Sequence, residues 1–438
     1  MVAEQISRVP PERRFVSYGR VLAVSGLTLT VVGLKAAIGD LCWVVRRDKV
    51  RLPAQVEAFS PGGRLLLTSY QDVRGLEAGC LVFRSGRNLL MPVGPGLLGR
   101  VLDGLARPLD GGPPIDGSWR PIEPRPIAPL ERLPVTEPLW TGIRVIDGLL
   151  TVGVGQRVGI FAGAGLGKTV LVRSILDGMS ADVAVVALIG ERGREIAEFY
   201  QSLAPSALRR SVLVAATSDS PAAMRVKAVD VASAAAEDFR DRGLSVVLVV
   251  DSLTRVAMAR REVAVEAGEL PSARGYTPSV FHLLPRILER AGRVGAGAIT
   301  GLYTVLLDSD DPTDPIGDAV RGILDGNIYL SRELAERHHF PAVDVSRSLS
   351  RVMAQVVGGD HQRAARLARR VMADLGRSEQ LVRTGLYQPG SDPALDRALL
   401  LQDDLRAWLI QAEGERSPAE TMLGRLKAIV GEGEAEHA

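Results

Sequence analysis

The amino-acid sequence predicts a multidomain α/β protein: a small N-terminal β-barrel, a central domain on a mostly parallel sheet, and a helical C-terminal domain. Three observations carry that expectation. Short alternating apolar runs separated by glycine turns fill residues 15–93. Near-continuous apolar strands alternate with helical stretches from Gly153 to about Ser348. After Gly359 only helical patterns remain. A chain of 438 residues is also too long for one core. The expected divisions are residues 1–93, 94–357 and 358–438.

Residues 1–14 are polar, carry Pro10, Pro11, Arg13 and Arg14, and read as a mobile arm. The runs Gly19–Val24, Leu27–Val32 and Leu41–Val45 then alternate at strand period, as in a small all-β barrel. Pro113, Pro114, Pro121, Pro124, Pro126, Pro129, Pro134 and Pro138 deny helix and central strand to the next stretch. It reads as an extended connection along a domain surface. Val183–Ile189, Val246–Val250 and Ala298–Leu307 are apolar throughout, which implies parallel strands covered on both faces. Ser220-Pro221 reads as a helix start with serine as the cap, and Gly243 as its stop. Helices are expected over His361–Leu375, Pro393–Gln411 and Pro418–Val430, with a frayed acidic tail from Gly431 to Ala438.

Composition excludes several classes. Hydrophobic residues make up 46% and charged residues 24%, an ordinary globular balance. A net charge of +2 gives no electrostatic case for nucleic acid as a partner. Of 53 basic residues only Lys35, Lys49, Lys168, Lys227 and Lys427 are lysine. Cys42 and Cys80 lack metal-ligand spacing and read as buried thiols of a reducing compartment. The N-terminus lacks an apolar signal core, and no apolar run approaches the ~20 residues of a membrane helix. The expected location is the cytoplasm, or the cytoplasmic side of a membrane as a peripheral protein.

The most informative stretch is Phe161-Ala162-Gly163-Ala164-Gly165-Leu166-Gly167-Lys168-Thr169. An apolar strand, Arg157–Phe161, precedes it, and a helix from Val170 to Asp177 follows. Strand, glycine loop and helix with Gly-Lys-Thr at the junction make a phosphate-binding P-loop. Gly163, Ala164, Gly165, Leu166 and Gly167 would turn backbone N–H groups onto phosphate oxygens, and the helix N-terminus at Lys168 to Val170 adds partial positive charge. Lys168 would neutralise the β- and γ-phosphates, and the Thr169 hydroxyl would bind Mg²⁺. Ala162 stands where the usual pattern has its first glycine. Asp251, at the end of an apolar strand, supplies the second half of a nucleotide site as a Mg²⁺ carboxylate. Glu191, in Gly190-Glu191-Arg192-Gly193-Arg194-Glu195, would orient the attacking water. Arg192 would touch the γ-phosphate, and Glu195 the water shell of the metal.

With Asp251-Ser252-Leu253-Thr254-Arg255, that hexapeptide resembles the catalytic subunits of the rotary ATPase superfamily, and within it the ATPases of type III export in flagella and injectisomes. Further matches are Leu97–Asp103, Gly142–Asp147, Ala235–Gly243, Gly275–Phe281, Ile323–Gly326 and Leu349–Arg351, so the resemblance spans about Tyr18 to Arg397. It implies a RecA-like P-loop ATPase core that hydrolyses ATP with Mg²⁺ in a homohexamer. It implies Glu191 as the catalytic carboxylate and Arg351 as an arginine finger reaching a neighbour's γ-phosphate. Arg255 falls at the nucleotide, Phe340 would stack on adenine where the family has tyrosine, and Tyr387 would close the other side of the base. Glu266–Tyr276 would face the central channel. The implied partners are a stator-like regulator, contacted by residues 1–14, a central stalk protein, export substrates and chaperones, and the membrane export gate. The implied task is to promote unfolding and export of substrate proteins.

Three rivals stand beside this reading. An ATP synthase catalytic subunit is disfavoured by Ala162 and Gly193. A nucleic-acid hexamer such as the termination factor Rho lacks support from the near-neutral charge. A structural ring in which ATP only cements assembly is separated by Glu191→Gln, which in an enzyme should leave nucleotide binding largely intact and abolish turnover. Between systems, Gly385–Pro393 and Val93–Leu98 look more flagellar than injectisome.

Overall fold

The computed structural model describes residues 18–86, 88–123, 127–307 and 314–435. The expected arm at residues 1–14 lies outside them. Six short strands close the N-terminal barrel: β1 (Tyr18–Ser25), β2 (Thr28–Val32), β3 (Leu41–Val45), β4 (Arg51–Ser60), β5 (Arg64–Ser69) and β6 (Leu81–Arg84), in the order β1-β2-β5-β4-β3-β6. All its pairings are antiparallel, and alternate residues such as Leu29, Val31, Val44 and Val82 fill the interior. Closure leaves the barrel without a free edge. Cys42 is buried there, whereas Cys80 is only half-buried, and both thiols are free.

The barrel ends before the boundary expected at residue 93. Strand β7 (Leu90–Val93) lies outside it and pairs with β9 (Ser118–Pro121), beyond β8 (Val101–Leu102). The proline-dense connection is therefore not wholly strandless. It supplies β9 and also β10 (Arg132–Leu133), which pairs with β17 (Gly292–Val294). β11 (Pro138–Leu139) pairs with β12 (Val152–Gly153) around helix α1 (Arg144–Leu149).

The central sheet runs β20-β19-β13-β18-β16-β14-β15-β8. Its strands are β13 (Arg157–Ala162), β14 (Val183–Ile189), β15 (Ser211–Ala216), β16 (Ser245–Asp251), β18 (Gly297–Leu306), β19 (Gly326–Leu330) and β20 (Val343–Ser350). They pair in parallel except β20, which is antiparallel to β19. β14 and β15 are buried at every residue because helices cover both faces. The connecting helices are α2 (Lys168–Gly178), α3 (Gly193–Ser202), α4 (Pro205–Arg209), α5 (Ala222–Asp241), α6 (Leu253–Glu266), α7 (Pro278–Leu288), α8 (Pro315–Arg321), α9 (Arg332–Glu336) and α10 (Met353–Val356). Helix α5 begins at Ala222, with Pro221 at the cap position and no side-chain cap. Ser220 is not the cap, since its hydroxyl meets that of Thr217 at 2.9 Å.

Helices α11 (Gly359–Arg383), α12 (Pro393–Leu409) and α13 (Ala419–Ala435) form the C-terminal region. Helix α11 outruns its expected end by eight residues, from Leu375 to Arg383, and Gly431–Ala435 prolongs α13 instead of fraying. Trp408 is fully buried in the core cluster shared with α1 and α2, and donates to the Met422 carbonyl at 3.2 Å. A Cβ at Gly148 would lie 2.6 Å from its ring, so glycine in α1 makes room for it. Removing the indole should cost about 3–5 kcal/mol. At the other end of the molecule the tip of α6 meets the barrel, where Thr28 Oγ1 donates to Glu266 Oε2 at 3.1 Å and Arg260 pairs with Glu57 at 3.0 Å.

Candidate active site

In a parallel sheet the carboxyl ends of the strands open onto a crevice where ligands bind. Here β13, β14 and β16 deliver the P-loop, Glu191 and Asp251 to that edge. Gly165 and Gly167 take φ of +78° and +82°, conformations that favour glycine, and α2 starts at Lys168. Lys168 is buried and its ammonium pairs with Asp251. Asp251 Oδ1 also accepts from Thr304 Oγ1 at 2.7 Å, so a strand-borne hydroxyl fixes the carboxylate. Sequence reasoning missed Thr304, which sits in an apolar run.

Glu191 follows β14 by two residues. Its carboxylate pairs with Arg255 Nη2 at 3.1 Å, while Arg255 Nη1 donates to the Gly190 carbonyl. Burial, first, then a hydrogen bond with Glu195 and the charge of Asp251 push the Glu191 carboxyl up to about 7, against the pull of Arg255 and Lys168. Glu195 moves down, mainly through the same bond with Glu191. Arg192 is mostly solvent-exposed at the start of α3, 3.9 Å from Glu195.

Two cavities flank the P-loop. One, of about 350 Å³, is lined by Thr169, Arg173, Glu191, Glu195, Glu198 and Asp251 among others. Its hydroxyl and carboxylate oxygens are hard donors suited to Mg²⁺. Among the described residues, no three His, Cys, Asp or Glu side chains form a metal cage of their own. Thr169 and Asp251 would thus hold a cation that phosphate oxygens also ligate, and Mg²⁺ in that position would neutralise charge on the phosphates.

The other cavity, of about 520 Å³, is mostly apolar. Gly165, Leu166, Gly167 and Val170 wall one side, with Phe340 opposite and Ile410, Ala412 and Glu413 closing it. The Phe340 ring passes within 3.6 Å of the position a Cβ on Gly167 would take. The ring thus packs against the P-loop on one side and stays partly exposed, so its open face is the surface on which a flat base could stack. Tyr387 does not line this cavity. It sits between α11 and α12 with its hydroxyl donating to Asp396 Oδ1 at 2.8 Å. The segment after α12, Ile410 to Glu413, lines the cavity. That segment is held by Arg144, which donates to the carbonyl of Trp408 at 2.7 Å and that of Ile410 at 2.5 Å.

Arg351 lies away from both cavities. Ser350 pairs with Gly326 and Gly326 with Val158, at the amino end of β13. At about 3.3 Å per residue this places the Arg351 backbone on the order of 15 Å from the P-loop end of the strand. Its side chain is exposed.

The profile of the ATP synthase alpha/beta family, nucleotide-binding domain, matches residues 142–350, and that of the T3SS EscN ATPase C-terminal domain matches residues 357–428. The "Flagellum-specific ATP synthase" of Treponema pallidum is 47% identical over 94% of this chain and 93% of its own. The chain belongs to the type III export ATPases. The "Type 3 secretion system ATPase" of Xanthomonas euvesicatoria is also 47% identical, over 94% of each chain. The assembled ATPase EscN of enteropathogenic E. coli, solved in complex with its central stalk EscO, superposes with a TM-score of 0.87 at 41% identity, covering 94% of this chain and all of that one. This export ATPase thus shares barrel, sheet and helical domain with its relatives. Among its described residues no helix is long and apolar enough to cross a membrane.

Proposed function

We propose that this export ATPase hydrolyses MgATP in a homohexameric ring, and that each site is completed by Arg351 of the next copy. The observation that carries this reading is the split constellation. Asp251 and Glu191 line one acidic cavity, paired with Lys168 and Arg255, while Arg351 lies exposed at the far end of the same sheet. In that reading Lys168 and the P-loop amides hold the phosphates, and Thr169 and Asp251 hold Mg²⁺, with Glu195 in its water shell. Glu191 orients water, Arg192 and Arg255 approach the γ-phosphate, and Phe340 stacks on adenine. An arginine supplied in trans is worth ~10³–10⁵ in rate. Specific ATPase activity should therefore rise steeply with protein concentration. A flat dependence, starting from a preparation shown by sedimentation to be monomeric, overturns the ring mechanism.

Turnover would promote unfolding and export of substrate proteins. The stalk seen with EscN supports a stalk partner here, and the exposed Leu270 in the segment Glu266–Tyr276 suits a channel-facing loop. A stator-like regulator, chaperones and the membrane export gate complete the set, with the ring at the cytoplasmic face of the inner membrane. We assign the chain to a flagellar system on Gly385–Pro393 and Val93–Leu98. Deleting the gene should stop swimming, and Lys168→Ala should fail to restore it. Swimming that survives deletion assigns the chain to an injectisome.

A further inference from the structure

The short helical turn Pro129–Glu131 holds Leu130 with 97% of its surface exposed, the most exposed large apolar residue among those described. The turn is not loosely attached. Arg132, next but one, donates to the carbonyls of Glu289 at 2.6 Å and Ala291 at 3.0 Å, and β10 pairs with β17. An ion-pair chain leads from it toward Arg351. Arg132 pairs with Glu289 at 2.8 Å, Glu289 with Arg157 at 2.5 Å, and Arg157 with Asp325 at 3.0 Å. The Asp325 carbonyl accepts from the Arg351 amide at 3.0 Å. The same segment touches the other flank as well. A Cβ at Gly153 would lie 2.2 Å from Val135 and 3.2 Å from Val352, so the connection and the end of β20 share one face. Leu133, in β10, and Leu349, in β20, are also exposed, at 45% and 49%.

We propose that Leu130, with Leu133 and Leu349, is the apolar anchor by which this face docks on a second copy of the chain, setting how Arg351 meets that copy's acidic cavity. The inference rests on the ring reading above and adds the residue that secures it. A second copy is the occupant for three reasons. A ring needs two different mating faces on one chain, head to tail. The two faces here lie at opposite ends of the parallel strands, and the exposed Arg351 of one is opposite in sign to most of the charged lining of the other, Glu191, Glu195, Glu198 and Asp251 against Arg173. A relative with the same fold is solved in assembled form. An exposed leucine held by a rigid turn also loses little freedom on docking, which favours association.

The test uses the full chain and three substitutions. Specific ATPase activity and sedimentation are measured against protein concentration for wild type, Leu130→Ser, Leu130→Met and Arg351→Ala. Leu130→Ser should raise the concentration of half-maximal activity about tenfold or more, about 1.4 kcal/mol per contact. Its plateau and its melting temperature should stay at the wild-type values, because Leu130 is 97% exposed and so packs on almost nothing among the described residues. Leu130→Met should stay near wild type, and Arg351→Ala should lower the plateau without moving the midpoint. A Leu130→Ser midpoint within twofold of wild type, in a wild type that does show concentration dependence, overturns this proposal alone and assigns the face to another partner. Wild-type activity that is flat from the monomer upward overturns the ring reading, and this proposal with it.

Discussion

The two cavities beside the P-loop are built in opposite ways. The acidic one draws on Glu191 and Asp251, at or just beyond the ends of parallel strands, and on Thr169 and Glu195, in the first turns of the helices that follow β13 and β14. The apolar one gathers Ile143, Leu166, Val170, Phe340 and Ile410, from segments up to 267 positions apart (410 minus 143). The acidic cavity is thus built at local junctions after parallel strands, and the apolar one by the docking of the C-terminal helices. Substitutions in the first should strike turnover, and those in the second should strike affinity.

The largest effects test the acidic side. Glu191→Gln should lower kcat by about 10²–10⁴ while fluorescent-nucleotide affinity stays within a few-fold. An equal loss of affinity would merge the roles of the two cavities. The pH profile sharpens the same point. Glu191 stands at about 7, so its ionised form disappears as pH falls below that value. A base that must be ionised then gives kcat/KM an acid limb with an apparent pKa near 7, falling roughly tenfold per pH unit below it. A rate flat down to pH 5 would remove Glu191 from that role.

Smaller effects belong to the apolar side. Phe340→Ala removes the stacking wall, worth about 1–2 kcal/mol, and should raise KM roughly tenfold with kcat little changed. Tyr387→Phe should leave both constants within about twofold, since the hydroxyl serves Asp396 and the ring lies off the cavity. A Tyr387 variant with weakened ATP affinity would mean that a neighbouring copy brings this residue to its site.

The same contrast explains what was legible in the sequence. Barrel, parallel sheet and helical region follow from period and apolar runs, and the P-loop with Asp251 from a junction that must have that chemistry. Thr304 escaped because one hydroxyl in an apolar strand gives no signal of its target. Ile410 and Glu413 escaped because no local pattern says which helix end will fold beside the P-loop. Only the burial of Trp408 against Gly148 and the grip of Arg144 decide that. The capping error at Ser220 has a similar cause, since the hydroxyl had a nearer partner in Thr217.

The central claim is that one copy's Glu191 works with another copy's Arg351. The most direct test mixes two full-length variants, Glu191→Gln and Arg351→Ala, each inactive alone, at equal concentration. The account predicts that activity returns, to about a quarter of the wild-type sites when copies assort at random in a head-to-tail ring. A mixture no more active than its two components, while sedimentation shows them assembled together, would contradict it.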